Sequence, residues 1–556
     1  MKLIISITLL LTLMSGVGAA SMVTVDDSGG ADYTSIQEAI NAAYENDTIY
    51  VFNGTYCESV HVHKRVTLIG EGADVVTVRA ASSLDDVFKV DTDWVNITGF
   101  TVSGGNAGIY LDEVHHCNTS YNIVLNSTGY YGYGGIRLSD SSDNILMGNT
   151  ANNNSCGISL CYSSDNILIG NNCSDSGNYD SGIWLCYSSE NTLTYNNCSN
   201  NGYGIRLDHS SSNNILVGNT ANNNGRGISL DDSGGNTLTN NLMAGNIWNF
   251  RITGDGDSHF DNEIDTTNIV DGKTVYYIKS ASDMTFNSTI NADAGTIYCI
   301  QCNNITIRDL TLTNNGAGVL FWKTYNSEIE DVNVSNNCYG IYLGYSDGNT
   351  IKNNNAVDAS TDGIRLSHSS SNIIADNNAS NGWIGIEIEE YSNCNTLENN
   401  IGSGNGFCGI FLERSSNNIL TGNIISNNDY GIFLRGSCNS NMLTGNNASQ
   451  NNAYGIRVHG ASNSNTLYHN NLINNNISNA YDECTNTWDS GSEGNYYSNY
   501  TGNDSDGDGI GESTYPISGG YNVDHYPLMR PWSAPPQKGD LNSDGTLTPA
   551  DAAIAL

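Results

Sequence analysis

The chain repeats a short apolar alternation at a long, nearly fixed interval. It reads Gly135-Ile136-Arg137-Leu138, Gly157-Ile158-Ser159-Leu160, Gly182-Ile183-Trp184-Leu185, Gly204-Ile205-Arg206-Leu207 and Gly227-Ile228-Ser229-Leu230. The series resumes at Gly340, Gly363, Gly385, Gly409, Gly431 and Gly455, and within each run successive glycines lie 22 to 25 residues apart. Ile followed two positions on by Leu is the sign of a half-buried strand. One such strand cannot bury its own apolar face, whereas stacked coils share one continuous core. Each unit continues with Ser-Ser-x-Asn and an apolar pair such as Ile145-Leu146 or Ile419-Leu420, then a Gly-Asn or Asn-Asn turn. Gly and Asn suit corners because they tolerate left-handed backbone, and stacked Asn can form ladders. A helical solenoid needs long segments with an apolar stripe, and none occurs between Val51 and Asn479. The pattern predicts an all-β, right-handed, single-stranded parallel β-helix solenoid, and the departures from it at the two ends mark an N-terminal cap and a small C-terminal module.

The ends break the pattern. Lys2, the apolar Leu3 to Met14 and the small residues Val17-Gly18-Ala19-Ala20 read as a signal peptide over 1–20. Residues 21–99 hold the cap and first coils. There Asp32 to Ala43 reads as a short helix with Ile36, Ala39, Ile40 and Ala43 on one face, followed by the strands Thr48–Val51 and Val66–Gly70. Coils are expected over 100–246 and 298–490, separated by an excursion at 247–297. A C-terminal cap at 491–530, a Pro-rich linker at 531–538 and a terminal module at 539–556 follow.

Charge narrows the partners. The 556 residues carry 20 Lys+Arg against 58 Asp+Glu, a formal charge of -38. Nucleic acid and anionic membranes need cationic patches, so both are excluded as non-specific partners. Beyond the N-terminal stretch, no segment has the roughly 18 apolar residues of a membrane span. Sequons such as Asn46, Asn53, Asn96, Asn126, Asn287, Asn304 and Asn447 permit surface glycosylation, although an Asn-rich chain makes many by chance. The expected location is secreted or at the cell surface.

Fourteen Cys raise the question of disulfides. Cys161 and Cys186 occupy the same place in successive units, as do Cys173 and Cys198. One coil apart, each pair falls within disulfide reach, and a ladder of buried thiols fits equally well. Cys299 and Cys302, three apart in an expected strand, should face opposite sides.

The repeats resemble those of the carbohydrate-binding and sugar-hydrolysis β-helices, and within that group the NosD-type periplasmic copper-binding proteins. The resemblance is carried by Ile264 to Tyr277, by Asn304-Ile305-Thr306-Ile307-Arg308-Asp309-Leu310, and by Gly507-Asp508-Gly509-Ile510-Gly511-Glu512 with Val523-Asp524-His525-Tyr526-Pro527-Leu528. The N-terminal region resembles the entry of pectinesterase-like β-helices. The catalytic strings of that family and of the alginate epimerases are absent.

Asp540, Asn542, Asp544, Thr546 and Asp551 fit an EF-hand-like calcium loop, with Gly545 at the turn. An Asp at the last position and the following Ala552-Ala553-Ile554-Ala555-Leu556 resemble one half of a type I dockerin, which implies a cohesin-type scaffold as partner. Asp504, Asp506 and Asp508 form a second acidic loop suited to calcium. Copper is disfavoured, because the ten His are scattered and no Met or His cluster occurs; His61/His63 and His115-His116 are the only close pairs.

Outward positions after the Gly-Ile-x-Leu strands carry Asp140, Asp208-His209, Asp231-Asp232, Ser367-His368, Glu389-Glu390 and Glu413-Arg414, with Arg137, Arg206, Arg365 and Arg457 just before them. Arg206, Asp208 and His209 place a cation, a carboxylate and an imidazole within four residues, the best-equipped coil for sugar chemistry. Plain solvation of an outward face explains such residues as well. Two readings follow. The first is a surface protein that binds polysaccharide along the solenoid and docks through its tail. The alternative is a tethered polysaccharide lyase, C5-epimerase or glycoside hydrolase.

Overall fold

The computed structural model describes residues 21–129, 134–177 and 180–533. The chain divides into two compact units, Met1–Thr192 and Leu193–Leu556. Both are parallel β-solenoids, and the chain makes about 20 turns. The signal-peptide stretch and the EF-hand-like loop at 540–551 lie outside the described residues.

In the first unit three sheets run the length of the stack. One holds Met22–Val25, Thr48–Val51, Thr67–Gly70, Asn96–Thr98, Asn118–Ser120, Ile145–Met147 and Ile167–Ile169. A second holds the Gly-Ile-x-Leu strands, with Ile136 opposite Ile158 and Ile158 opposite Ile183, all fully buried. The helix expected near the N-terminus is present at Ile36–Ala42; Ile36, Ala39 and Ile40 are buried and Ser35 Oγ accepts from the Glu38 backbone N–H at 3.3 Å.

In the second unit the strands Tyr203–Asp208, Arg226–Asp231 and Trp248–Thr253 pair in parallel. The long strands then change sheet. Ile269–Val270 folds back antiparallel on Lys273–Lys279 through Asp271 and Gly272, whose φ values of 47° and 77° suit a tight hairpin turn. From Lys273 onward the long strands continue the sheet begun by the short Thr220–Asn222 and Leu242–Ala244. This shift is the physical content of the gap in the glycine series. Thereafter Ile297, Val319, Ile341, Ile364, Ile386, Ile410, Ile432 and Ile456 stand in register, all fully buried.

The corners explain the Asn content. Asp376 and Asn399 have φ of 56° and 54°, and the equivalent Gly422 and Gly445 have 67° and 69°. Each turns the next residue, an asparagine, into the core. Asn354, Asn377, Asn400, Asn423, Asn446 and Asn470 form one such column, 0 to 2% exposed. Asn423 Oδ1 accepts from the Asn400 backbone N–H at 3.0 Å and from Asn400 Nδ2 at 3.0 Å. Its own Nδ2 donates to Leu397 O at 3.0 Å and Asn446 Oδ1 at 2.8 Å. A parallel column runs through Asn349, Asn372, Asn395, Asn418, Asn441 and Asn465.

Two outcomes are expected. Asn423→Ala strands buried donors and acceptors on two coils and should cost about 2–4 kcal/mol, whereas Asn378→Ala on the exposed face should cost under about 0.5 kcal/mol. Equal thermal shifts for the two would contradict the ladder's role. The second concerns Asp524, fully buried, whose carboxyl is raised by burial to about 6. Its folded-state value lies above the unfolded one, so its contribution falls as pH rises from about 4 to about 6, by up to about 3 kcal/mol. Asp524→Asn should therefore gain stability relative to the parent as pH rises across that window, read from paired thermal melts.

Candidate functional site

The Arg206–Asp208–His209 coil lies in the second unit. Arg206 Nη2 sits 2.6 Å from Asp208 and His209 Nδ1 sits 3.2 Å from it. The sequence predicted an outward Asp208. The carboxylate is instead 2% exposed, because the strand runs on through Asp208 and the Arg206 side chain lies beside it. The Arg206 guanidinium also lies over the Tyr203 ring at 4.9 Å. One coil on, Arg226 lies over Tyr203 and Trp248 at 4.7 and 5.0 Å, and Arg251 pairs with Asp231 at 2.8 Å. These charges are largely consumed by one another.

A richer constellation sits further along the long sheet. The outward positions of Asp362–Ser367 and Ile384–Glu389 bring together Asp362, Arg365, Glu387 and Glu389. Arg365 Nη2 and Nε donate to Glu389 Oε1 at 2.6 and 3.0 Å, and Nη1 donates to the Tyr339 hydroxyl at 3.0 Å. Glu387 lies 3.5 Å and Asp362 3.6 Å from the same guanidinium. Asp362 is fully buried and neither of its carboxyl oxygens accepts a conventional hydrogen bond. Burial, with Glu387 beside it, pushes Asp362 well above the usual carboxylate range; burial also raises Glu387, against the pull of Arg365. One guanidinium cannot balance three buried carboxylates, so Asp362 is the neutral acid of the group. The sequence pointed to Arg365 and Glu389 but not to Asp362 or Glu387. Asp362 occupies the place just before the glycine, which in other coils is Tyr339, Tyr430 or Tyr454, and that break in the column was the available signal.

Aromatic rings flank this cluster. Trp383 stacks on Phe407 at 5.7 Å, Phe407 meets Tyr430 at 5.3 Å, Tyr430 stacks on Tyr454 at 6.0 Å, and Tyr454 meets Tyr481 at 5.2 Å. Phe411 and Phe433 pack beside them at 5.4 Å, and Arg457 lies over Tyr430, Phe433, Tyr454 and Tyr481 at 5.0 to 5.5 Å. Trp383 is 53% exposed and Phe407, Tyr430, Tyr454 and Tyr481 are half-buried. The result is a partly open aromatic row along successive coils, bordered by acids and arginines.

Metal donors are mostly hard. Asp504, Asp506 and Asp508 do converge, with carboxylate oxygens within 4.8 Å of one another, and Asp504 accepts from the Gly507 and Gly509 N–H groups at 2.7 and 3.0 Å. Asp232, Asp255 and His259 form another group within the second unit. Cys161 and Cys186 are register partners in the first unit, while Cys173 and Cys198 are buried, one in each unit. The expected opposition of Cys299 and Cys302 fails. The chain turns at Gln301, φ 55°, and both residues enter the same core. A hydrogen bond from the Cys299 thiol lowers Cys302 to about 7.

The sequence profile of the periplasmic copper-binding protein family NosD matches residues 40–276, 261–393 and 360–502. The chain belongs to the NosD family. A cell surface glycoprotein of Methanothermus fervidus is 30% identical over 137 residues, 24% of this chain, and the match spans 22% of that relative's length. Among solved structures, an alginate lyase from Paenibacillus sp. is 13% identical, with a TM-score of 0.22, over 64% of this chain and 94% of its own. An α-1,3-glucanase catalytic domain in complex with nigerose is 14% identical, with a TM-score of 0.30, over 74% and 68%. Copper sites favour imidazole, thiolate and thioether donors. Within the second unit this NosD-family chain offers two carboxylate-rich groups, whose oxygen donors suit hard cations better than copper.

Arg365→Gln should leave its acidic neighbours uncompensated and cost about 3–5 kcal/mol at neutral pH. Asp362→Asn, which removes a buried acid already held neutral, should be near neutral or stabilising. Chemical denaturation of both variants checks the pair; a benign Arg365→Gln would show that the cluster is not coupled through this guanidinium.

Proposed function

We propose that this is an exported, surface-located β-helix protein that binds a polysaccharide along the outer face of the long sheet in the second unit. The single observation that carries the reading is the aromatic row from Trp383 to Tyr481, one ring per coil. A sugar chain repeats on the same scale of about 5 Å as stacked strands, so successive residues can each meet a ring. Aromatic rings offer apolar surface to pyranose C–H faces, and the bordering Glu389, Glu413 and Arg457 offer hydroxyl partners. The acids outnumber the cations here, so a neutral polysaccharide is favoured over a uronate polymer. The surface location rests on the family and on the glycoprotein relative. No helix among the described residues is long and apolar enough to cross a membrane.

The alternative reading, a polysaccharide lyase, epimerase or hydrolase, draws on the Asp362–Glu387 pair, whose upward-shifted carboxyls hold their protons more tightly than usual, as general acid chemistry needs. Against it stands the burial of Asp362. The tail at 540–551 is read as a calcium-loaded, dockerin-like anchor for a cohesin-type scaffold, and Asp504, Asp506 and Asp508 as a second calcium loop. The Ile36–Ala42 helix is read as the cover over the open edges of the first coil.

Three measurements follow. Trp383→Ala with Tyr454→Ala should weaken retardation by neutral polysaccharides in affinity electrophoresis at least tenfold; unchanged mobility shifts would remove the row as the binding face. If the parent releases reducing ends from any polysaccharide and Glu387→Gln does not, the enzymatic reading replaces the binding one. Calorimetric titration of the full chain with calcium should lose one binding event in Asp506→Asn/Asp508→Asn; an identical isotherm rules out the second loop.

A further inference from the structure

Cys299 and Cys302 break two columns of the second unit in one coil. In register with Cys299 stand Ile278 on one side and Phe321, Leu343, Leu366 and Ile388 on the other, all large apolar side chains. Cys302 begins a second column. There Thr324, Ser346, Ser369 and Ser392 each turn a hydroxyl inward to accept the backbone N–H of the coil before. Both cysteines are fully buried.

The hydroxyl column explains Cys302 but not Cys299. Cys438 stands in the same column and shows how a solitary cysteine serves there. Its Sγ accepts the Ser415 N–H at 3.5 Å and lies 3.2 and 3.3 Å from Arg435 O and Leu412 O. Cys302 Sγ likewise lies 3.4 and 3.5 Å from Ile300 O and Ile278 O. Cys299 has no such duty, and it forfeits the packing that Leu or Phe supplies in the neighbouring coils. What it meets instead is the other sulfur. Gln301, at φ 55°, turns Cys302 back into the core, and the Cys299 thiol donates to it. The two members of the hydroxyl column therefore differ in acidity. Burial pushes Cys438 up to about 11, whereas the bond from Cys299 brings Cys302 down to about 7. Near neutral pH a share of Cys302 is then the thiolate that attacks disulfides.

We propose that Cys299 and Cys302 are joined by a disulfide, made as the chain is exported. Two S–H bonds break and one S–S bond forms. The two protons and two electrons pass to a disulfide oxidant, small or carried by an oxidoreductase, which leaves as two thiols. The proposal rests on the exported reading for its oxidant, since oxidising compartments keep such bonds. Ile300 and Gln301, between the two sulfurs, line a surface cavity of about 200 Å³, so the pair lies one turn beneath solvent. The bond would tie the end of Ala294–Ile300 in the long sheet to the start of Asn303–Arg308 in the next sheet. That corner belongs to the first coils after the change of sheet at Asp271-Gly272.

The test uses the full chain exported to a bacterial periplasm, which supplies the oxidising compartment directly. The purified protein is unfolded and alkylated with iodoacetamide without reductant, then digested with trypsin. Residues 280–308 form one tryptic peptide that holds both cysteines and no other. It should be unlabelled and two hydrogen masses lighter than the dithiol, and it should take two labels after reduction. The 436–457 peptide, with Cys438 alone, should take one label in both cases, which shows that buried thiols were reached. Cys299→Leu/Cys302→Ser restores the residues of neighbouring coils, so added reductant should lower its thermal midpoint less than the parent's. Three results overturn the proposal: two labels on the 280–308 peptide without reductant, a link from either sulfur to another cysteine, or equal falls in midpoint for parent and double variant.

Discussion

Inward-turned asparagine is the interaction on which this solenoid depends. A parallel strand of three residues is too short to hold its register by backbone bonding alone. The Asn side chain adds bonds in two directions, upward to the next coil's amide and downward to a backbone carbonyl, as Asn377 does with Asn400 at 3.0 Å and Ile351 O at 2.9 Å. Each buried polar group is satisfied only if the next coil repeats it. A slip of one residue would bury several unmet groups at once, each costing about 1–3 kcal/mol. Register is thus enforced by penalty as much as by gain, and the Ile and Leu columns fill the space the ladders define.

Strict register on the inside imposes strict register on the outside. A residue that faces water in one coil must stand above its equivalent in the next. The Tyr430–Tyr454 and Phe411–Phe433 pairs are products of that rule. Acids from different positions of adjacent coils also meet, as Asp362, Glu387 and Glu389 do, and the chain answers with Arg365 against all three. Where rings recur instead, they stack. The outer face is therefore a set of columns whose chemistry is chosen one position at a time, which is how a fold with so uniform a core carries distinct surfaces on its two units.

Much of this was legible in the residues. The period of the glycines and the Ile-x-Leu alternation fix the stack, the strands and the inward columns. The short helix is legible from Ile36, Ala39 and Ile40. The change of sheet at Asp271-Gly272 was not, since periodicity marks where a repeat stops and not where its strands go next. Site chemistry was legible only in part. Arg365 and Glu389 stand out as charges, but Asp362 lies just before a glycine, and its burial depends on side chains one coil away. Asp208 was misplaced for the same reason: alternation gives the face of a residue, not whether a long neighbour covers it. Cys302 escaped because a single left-handed residue, Gln301, reverses the facing that strand geometry implies.

Charge joins these observations. In a chain of net charge -38, each cation has many possible partners, and about half of the described ones are spent in ion pairs. Lys89 pairs with Asp112, Lys279 with Asp261 and Glu263, Lys352 with Glu328 and Glu330, and Arg414 with Glu390. Each of these links neighbouring coils and relieves repulsion along an acidic column, a structural use that surface exposure keeps modest in energy. Arg65, Arg226 and Arg457, which form no such ion pair, lie over aromatic rings instead, so arginines without a carboxylate partner still find a favourable contact on the stacked side chains of neighbouring coils.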